Sequence, residues 1–291
     1  MAGLGLRDLP APHPRFDPAK VPECNFETAA DAAKEDADRS RSLRRNPPPG
    51  KGRAKSAQMS RRLARIGSYP AKLSSSRYWR CFRRKFIAAL WRLIYEGRYQ
   101  DVSTATIIPL GWVTHANDLD CLDPASLLSQ LRTDLNRSGG AVAKGWAIFV
   151  LHGEFEPNSK RYVIHVHAVA VDDMIDVIRN LANSPKYASA KHRHSSDGVV
   201  QRIRISVEAL SNMPYPLTYL AKSYWLTKWL GSVTRNGKVC VTRERDGRRI
   251  PEPYHARWLR WMDRWDWKDM ILLYGVRVGK EGFVARYSVY E

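Results

Sequence analysis

At 291 residues with 44% hydrophobic side chains, the chain can bury a real core as one large domain or two small ones, which excludes a peptide-like or wholly disordered protein. Lys and Arg number 48 against 29 Asp and Glu, and the resulting +19 at neutral pH attracts polyanions, so nucleic acid is the first partner to consider. Cys24, Cys81, Cys121 and Cys240 lie too far apart for a zinc ribbon or a disulfide framework, which fits a reducing compartment, and no run approaches the ~20 apolar residues of a membrane span.

Residues 1–75 combine Pro clusters, an Ala/Asp patch and the run RSLRRNPPPGKGRAKSAQMSRRLARIG, where many cations accompany few large apolar groups; this predicts a disordered, basic N-terminal arm. From Ser76 onward, Trp79, Phe82, Phe86, Leu90 and Ile94 recur at spacings of three and four among arginines, predicting a basic amphipathic helix over 76–99 that packs on the next domain, contacts DNA, or does both. The β-branched run STATIIPLGWVT reads as a strand. Asp123 then caps a helix that opens at Pro124, runs through Leu128, Leu131 and Leu135, and stops at Gly139 and Gly140.

Two strand-like runs, WAIFVLHGEFE and RYVIHVHAVAV, flank the turn-forming PNSK and predict an antiparallel hairpin. DDMIDVIRNLAN follows as a short helix, VVQRIRISV as a strand, and Pro216 opens LTYLAKSYWLTKWL as a helix closed at Gly231. Residues 232–291 form a helical and β C-terminal extension: GKVCVTRERDGRRI reads as a hairpin, PYHARWLRWMDRWDWKDMILL as a Trp-rich helix whose spacing favours core packing, and the end as a strand or two. The element order over 100–231 predicts an α+β domain, a central antiparallel sheet with flanking helices.

His165 and His167 flank Val166 in YVIHVHAVAV, so on a strand both imidazoles point to one face, roughly 6–7 Å apart, and can clamp one cation. Pairing the hairpin about Asn158 and Ser159 brings His152, Glu154 and Glu156 to the same face. Glu154 is the chosen third ligand; His152, which would lie most nearly opposite His165, and Glu156 remain alternatives. Such a set leaves coordination positions open for substrate oxygens, as catalytic sites do. His192 and His194 sit in a polar, arginine-flanked loop and read as phosphate contacts. In the late helix, Tyr219 and Lys222 are three apart and share a face, with Tyr215 one turn earlier; an adjacent cation favours the phenolate needed to attack phosphorus.

An apolar-Thr strand (TATIIP), a His-hydrophobic-His strand (HVH) and Tyr-x-x-Lys on a helix (YLAK), in that order, resemble the three motifs of the HUH endonucleases, and among them the rolling-circle replication initiators of plasmids and phages. The resemblance covers about residues 100–230. It implies an HUH endonuclease domain in which His165 and His167 with Glu154 bind Mg²⁺ or Mn²⁺. Tyr219, with Lys222 beside it, becomes linked to the 5′ phosphate of a nicked strand, and a free 3′ hydroxyl is released. Tyr215 is a candidate second nucleophile, since YPLTYLAK matches the two-tyrosine pattern of some phage initiators, although Pro216 turns it toward the outside of a helix.

The implied partner is single-stranded or melted origin DNA in the cytoplasm of a bacterial host, with no membrane involved. Lys160, Arg161, Arg202 and Arg204, on or beside the relevant strands, are candidate DNA contacts. No P-loop occurs in the sequence, so unwinding is expected from a separate host helicase. A transposase or relaxase of the same superfamily, and a non-catalytic DNA-binding regulator, are the rival readings.

Overall fold

A computed structural model describes residues 4–50, 52–189, 199, 201–206, 210, 212–235, 238–243 and 247–286. Among the described residues, four short 3₁₀ turns between Leu6 and Cys24 and then three α-helices precede the first strand: α1 (Ala29–Arg45), α2 (Gly52–Ala64) and α3 (Ser76–Glu96). The first two helices lie where a disordered arm was expected, and that expectation is corrected. Leu43, Met59 and Leu63 are buried in the common core, while the two helices meet each other largely through small and polar groups. The Ser40 and Ser60 hydroxyls each donate to the other residue's carbonyl, at 2.9 and 3.0 Å, and Ser56 Oγ donates to the Leu43 carbonyl, so α1 and α2 lie antiparallel and close. Asp36 is fully buried and accepts from Ser75 Oγ, the Ser76 amide and Arg77 Nε, which caps the start of α3. Hydrophobic periodicity registers none of these contacts.

The apolar stripe of α3 is buried as expected, with Trp79, Phe82, Phe86, Leu90 and Ile94 each no more than 6% exposed. Next come β1 (Val102–Ile107), β2 (Val113–His115) and α4 (Pro124–Leu135), the last begun by the Asp123 carboxylate, which accepts from the Ala125 amide at 3.0 Å. The hairpin follows as β3 (Ala147–Glu156) and β4 (Arg161–Val171), then α5 (Asp173–Asn180) and β5 (Ile203–Ile205). The hairpin register is the expected one, with His152 opposite His165 and Glu156 opposite Arg161. β4 also pairs with β1, setting Thr106 opposite His167, and β1 pairs with β5, setting Arg204 opposite Thr106.

Beyond β5 the helix expected from Pro216 to Gly231 is absent. Tyr215–Tyr219 make a short 3₁₀ turn, and β6 (Leu226–Thr227) and β7 (Leu230–Arg235) follow, β7 forming a hairpin with β8 (Lys238–Arg243). Two demands override the helical spacing. The edge of β3 needs partners for its backbone, and β6 supplies them by running parallel to it, Leu226 beside Glu154, with the Lys228 amide donating to the Phe155 carbonyl at 2.8 Å. Trp225 must also reach the sheet at Gly153, where an added Cβ would lie only 2.6 Å from the indole; the ring packs 5.2 Å from Trp261 and 6.1 Å from Tyr162. Pro214 and Pro216 further disfavour helical backbone at Met213 and Tyr215. The central sheet is therefore mixed, not wholly antiparallel.

The chain continues through β9 (Arg248–Arg249), which pairs with β6, then α6 (Tyr254–Met262), α7 (Trp267–Met270), β10 (Ile271–Tyr274) and the hairpin β11 (Val276–Gly279) and β12 (Gly282–Ala285). The expected Trp-rich helix is thus two helices and a strand, because Ile271–Tyr274 is drawn into antiparallel pairing with β3. The segment read as an extension shares the common core: Trp258, Trp261 and Trp267 are at most 1% exposed. The fold is mixed α+β, with sheet order β5-β1-β4-β3-β6-β9 and helices flanking it. Among the described residues no helix is long and apolar enough to cross a membrane.

Candidate active site

His152, His165 and His167 come together at the centre of the sheet because β3 and β4 pair with His152 directly opposite His165, and His167 is two residues along on the same face. One ligand atom from each lies within 4.8 Å of the others. Each ring has one nitrogen engaged by a neighbour. His167 Nδ1 meets Thr106 Oγ1 at 3.1 Å, His165 Nδ1 meets the Val163 carbonyl at 3.4 Å, and His152 Nε2 meets the Lys222 carbonyl at 3.2 Å. When those nitrogens carry the proton, Nε2 of His165 and His167 and Nδ1 of His152 hold the lone pairs, which is the outer-shell arrangement that orients metal-binding imidazoles.

Burial keeps His152 and His167 neutral. His152 is held well below the usual imidazole value by burial first, and then by His167, His165 and the Lys222 ammonium. His167 is pushed down to about 3 by burial, with His165 and Lys222 adding to it and the Glu154 carboxylate opposing. Neutral imidazoles need lose no proton to bind a cation. The residues therefore fit a divalent metal ion, with three nitrogen donors.

The carboxylates stand differently from the expectation. Glu154 shares the histidine face, opposite Val163, but is outside the close trio, whose third member is His152. Its carboxylate acts electrostatically on His167 and Lys222. Glu156 is buried at the turn and accepts from the Asn158 amide at 3.0 Å and from the Ser159 amide and hydroxyl, so it closes the hairpin.

Tyr219 and Lys222 reach this centre by the turn after Tyr215–Tyr219 rather than by a helical face. Lys222 Nζ stands 3.9 Å from the centre of the Tyr219 ring, and the same residue's carbonyl is the partner of His152. The Lys222 ammonium is pushed below its ordinary value, first by burial and then by Lys228. Tyr219 is half exposed and its phenol is raised, chiefly by Tyr215, then by burial, with Tyr224 contributing. The cation lies over the ring face and does not lower the phenol, so Tyr219 holds its proton at neutral pH. Tyr215 is also about half exposed, its ring 6.2 Å from that of Tyr219.

Two arginines that sequence reasoning passed over hold this turn. Arg83 of α3 donates to the Thr218 carbonyl at 2.9 Å, and Arg39 of α1, fully buried, donates to the Ser223 carbonyl at 2.8 Å and to the Ser74 carbonyl at 3.0 Å. No local pattern marks either, since both bind backbone distant in sequence.

Among the candidate DNA contacts, Arg204 is exposed and lies in one transverse row with Thr106 and His167. Arg161 is exposed at the hairpin end on the histidine face, and Lys160 is exposed in the turn with a positive φ of 53°. Arg202 is corrected: it is only 4% exposed and donates to the Ile108 carbonyl, so it braces the β1 end and offers no surface charge. His192 and His194 lie outside the described residues.

No family model, no curated protein and no solved structure matches the chain, so its functional reading rests on the site itself.

Proposed function

We propose that this chain is a metal-dependent DNA strand transferase of the HUH type, which nicks one strand through Tyr219 and can rejoin it. The observation that supports it most is the shared location of the three-imidazole cluster and the Tyr219–Lys222 turn, joined through the His152 contact to Lys222. A bound Mg²⁺ or Mn²⁺ would polarise the scissile phosphate and orient its oxygens. His152, His165 and His167 would hold that ion, while Lys222 balances negative charge on the crowded phosphoryl group. Tyr219 Oη attacks phosphorus and gives up its proton to solvent; the bond from phosphorus to the 3′ oxygen breaks, and that oxygen leaves as a hydroxyl after taking a proton. Reversal by an incoming 3′ hydroxyl re-forms the phosphodiester without ATP.

In this reading the substrate is single-stranded or melted DNA, reached with the help of a separate helicase. The biological setting is initiation of rolling-circle replication of a plasmid or phage, and transposon or conjugative transfer would use the same chemistry on other ends. Incubation with a library of single-stranded oligonucleotides and Mn²⁺ tests it. A protein and DNA adduct that survives denaturation and is lost in Tyr219→Phe is expected; an undiminished adduct in Tyr219→Phe removes that residue from the role.

A further inference from the structure

The chain's positive charge is concentrated. No Asp or Glu occurs between Asp38 and Glu96, a stretch that carries 17 of the 48 Lys and Arg, while the whole molecule's surplus is +19. Folding sorts these cations into two groups. Those facing inward are spent on partners, as Arg39 is on Glu35, Arg62 on Asp263 and Arg77 on Asp36. Those at the end of the α1–α2 hairpin are not. Arg44 and Arg45 in the last turn of α1, with Arg53 and Lys55 in the first turn of α2, are exposed, and none has a carboxylate within ion-pair distance among the described residues. The serine-mediated packing of the two helices fixes this cationic end as a rigid element, so it is more than a charged tail.

We infer that the end of the α1–α2 hairpin is a docking surface for the phosphate backbone of duplex DNA, separate from the histidine and tyrosine centre. Two features favour a duplex over a single strand. Single strands are gripped by cations interleaved with aromatic platforms, and residues 39–68 contain no Phe, Trp or Tyr. Four exposed aromatics, Tyr215, Tyr219, Tyr224 and Trp229, belong instead to the segment of the other centre, and two more, Tyr69 and Tyr95, are each covered on one face by an arginine, Arg77 and Arg15. The hairpin thus offers charge without stacking, which suits a paired backbone, and an anionic membrane would call for apolar anchors that its Pro47–Pro49 connection lacks. The surface is also mechanically tied to the centre, since Arg39, on the same helix as Arg44 and Arg45, holds the Ser223 carbonyl beside Lys222. A duplex seated there lies in fixed register with the turn that carries Tyr219.

The test uses the full chain with Tyr219→Phe in every sample, so that binding is read without cleavage and stands whether or not the strand-transfer reading holds. Affinities for a duplex of about 30 base pairs, for a single strand of equal length, and for vesicles with anionic phosphatidylserine are measured across a salt series. The comparison protein carries Arg44→Glu, Arg45→Glu, Arg53→Glu and Lys55→Glu; a second carries Gln at the same four positions. The expected result is a fall of at least about tenfold in duplex affinity for the Glu protein, a salt slope shallower by about two to four, a smaller fall for the Gln protein, and single-strand affinity within about threefold of the parent. Unchanged duplex affinity and slope in a Glu protein of normal thermal stability overturns the assignment. So does an equal loss for single strand and duplex, or a loss seen only with vesicles. If the Glu protein does not fold, the Gln protein decides by the same criteria.

Discussion

His152 lies directly opposite His165 across the central hairpin, and the two rings, with centres 5.8 Å apart, leave room for an ion that His167 also reaches. Replacing any of the three by Ala should therefore abolish high-affinity divalent binding, whereas Glu154→Ala should keep most of it. Calorimetric titration with Mn²⁺ on the four variants distinguishes them. Loss in Glu154→Ala with retention in His152→Ala would reverse the ligand choice.

The donor set also bears on which ion is preferred. Mg²⁺ favours oxygen ligands and imidazole suits first-row transition ions, so three imidazoles should bind Mn²⁺ more tightly than Mg²⁺. At about 100 times its dissociation constant a bound ion adds about 2.7 kcal/mol of stability, so the melting temperature should rise by several degrees with Mn²⁺ at concentrations where Mg²⁺ has little effect. Equal stabilisation by both ions at all concentrations would contradict this.

Acid should destabilise the metal-free protein early. Burial lowers His152, His167 and His255 in the folded state, so as pH falls below about 6.5 the unfolded chain takes up protons that the folded chain refuses. Stability is then full above the unfolded value and is lost below it, each group costing up to about 1.4 kcal/mol per pH unit. Thermal melts from pH 7.5 to 5 should stay nearly level to about pH 6.5 and decline below it, and His167→Asn should lessen the decline. A flat profile over that range would show that the rings are not held neutral.

The arginine clamps predict a separation of binding from chemistry. Arg83→Met frees the Thr218 carbonyl and should cost about 1–2 kcal/mol of stability, with a larger proportional loss of adduct formation than of DNA affinity. Arg39→Ala, which removes the buried donor of the Ser74 and Ser223 carbonyls and leaves Glu35 with Arg249 alone, should cost about 2–4 kcal/mol. Denaturant midpoints and adduct yields measured on the same preparations check both.

Gly153→Ala reaches the same turn from the sheet side. Its Cβ would meet the Trp225 ring at 2.6 Å, within rigid surroundings, so Trp225 and β6 must move. A cost of about 1–3 kcal/mol is expected, together with reduced adduct yield, because Lys222 lies three residues before the displaced indole. An unaltered melting temperature and yield would show that the contact yields freely.

The hairpin and its register were legible because strand alternation and the PNSK turn set them, and with them the two histidines and the alternative His152. Thr106 was legible only as part of a motif; its bond to His167 needs the β1–β4 pairing. The Tyr219 segment misled because its leucines and Trp225 fit a helical period, while the edge of β3 and the space above Gly153 imposed another path. Helices α1 and α2 were hidden because their large buried apolar groups, Leu43, Met59 and Leu63, are too few to set a period, and serines, Asp36 and Arg39 make much of the remaining contact.

Trp267 stacks on Phe82 of α3 with ring centres 3.6 Å apart, and among the described residues the outer edge of β3 is closed by Leu226–Thr227 and Ile271–Tyr274. During synthesis, then, the face of α3 and half of a central strand stay uncovered until Trp267 and Ile271–Tyr274 leave the ribosome. A translation product stopped at Gly231 would present an open, apolar strand edge to its neighbours, the surface from which aggregates grow.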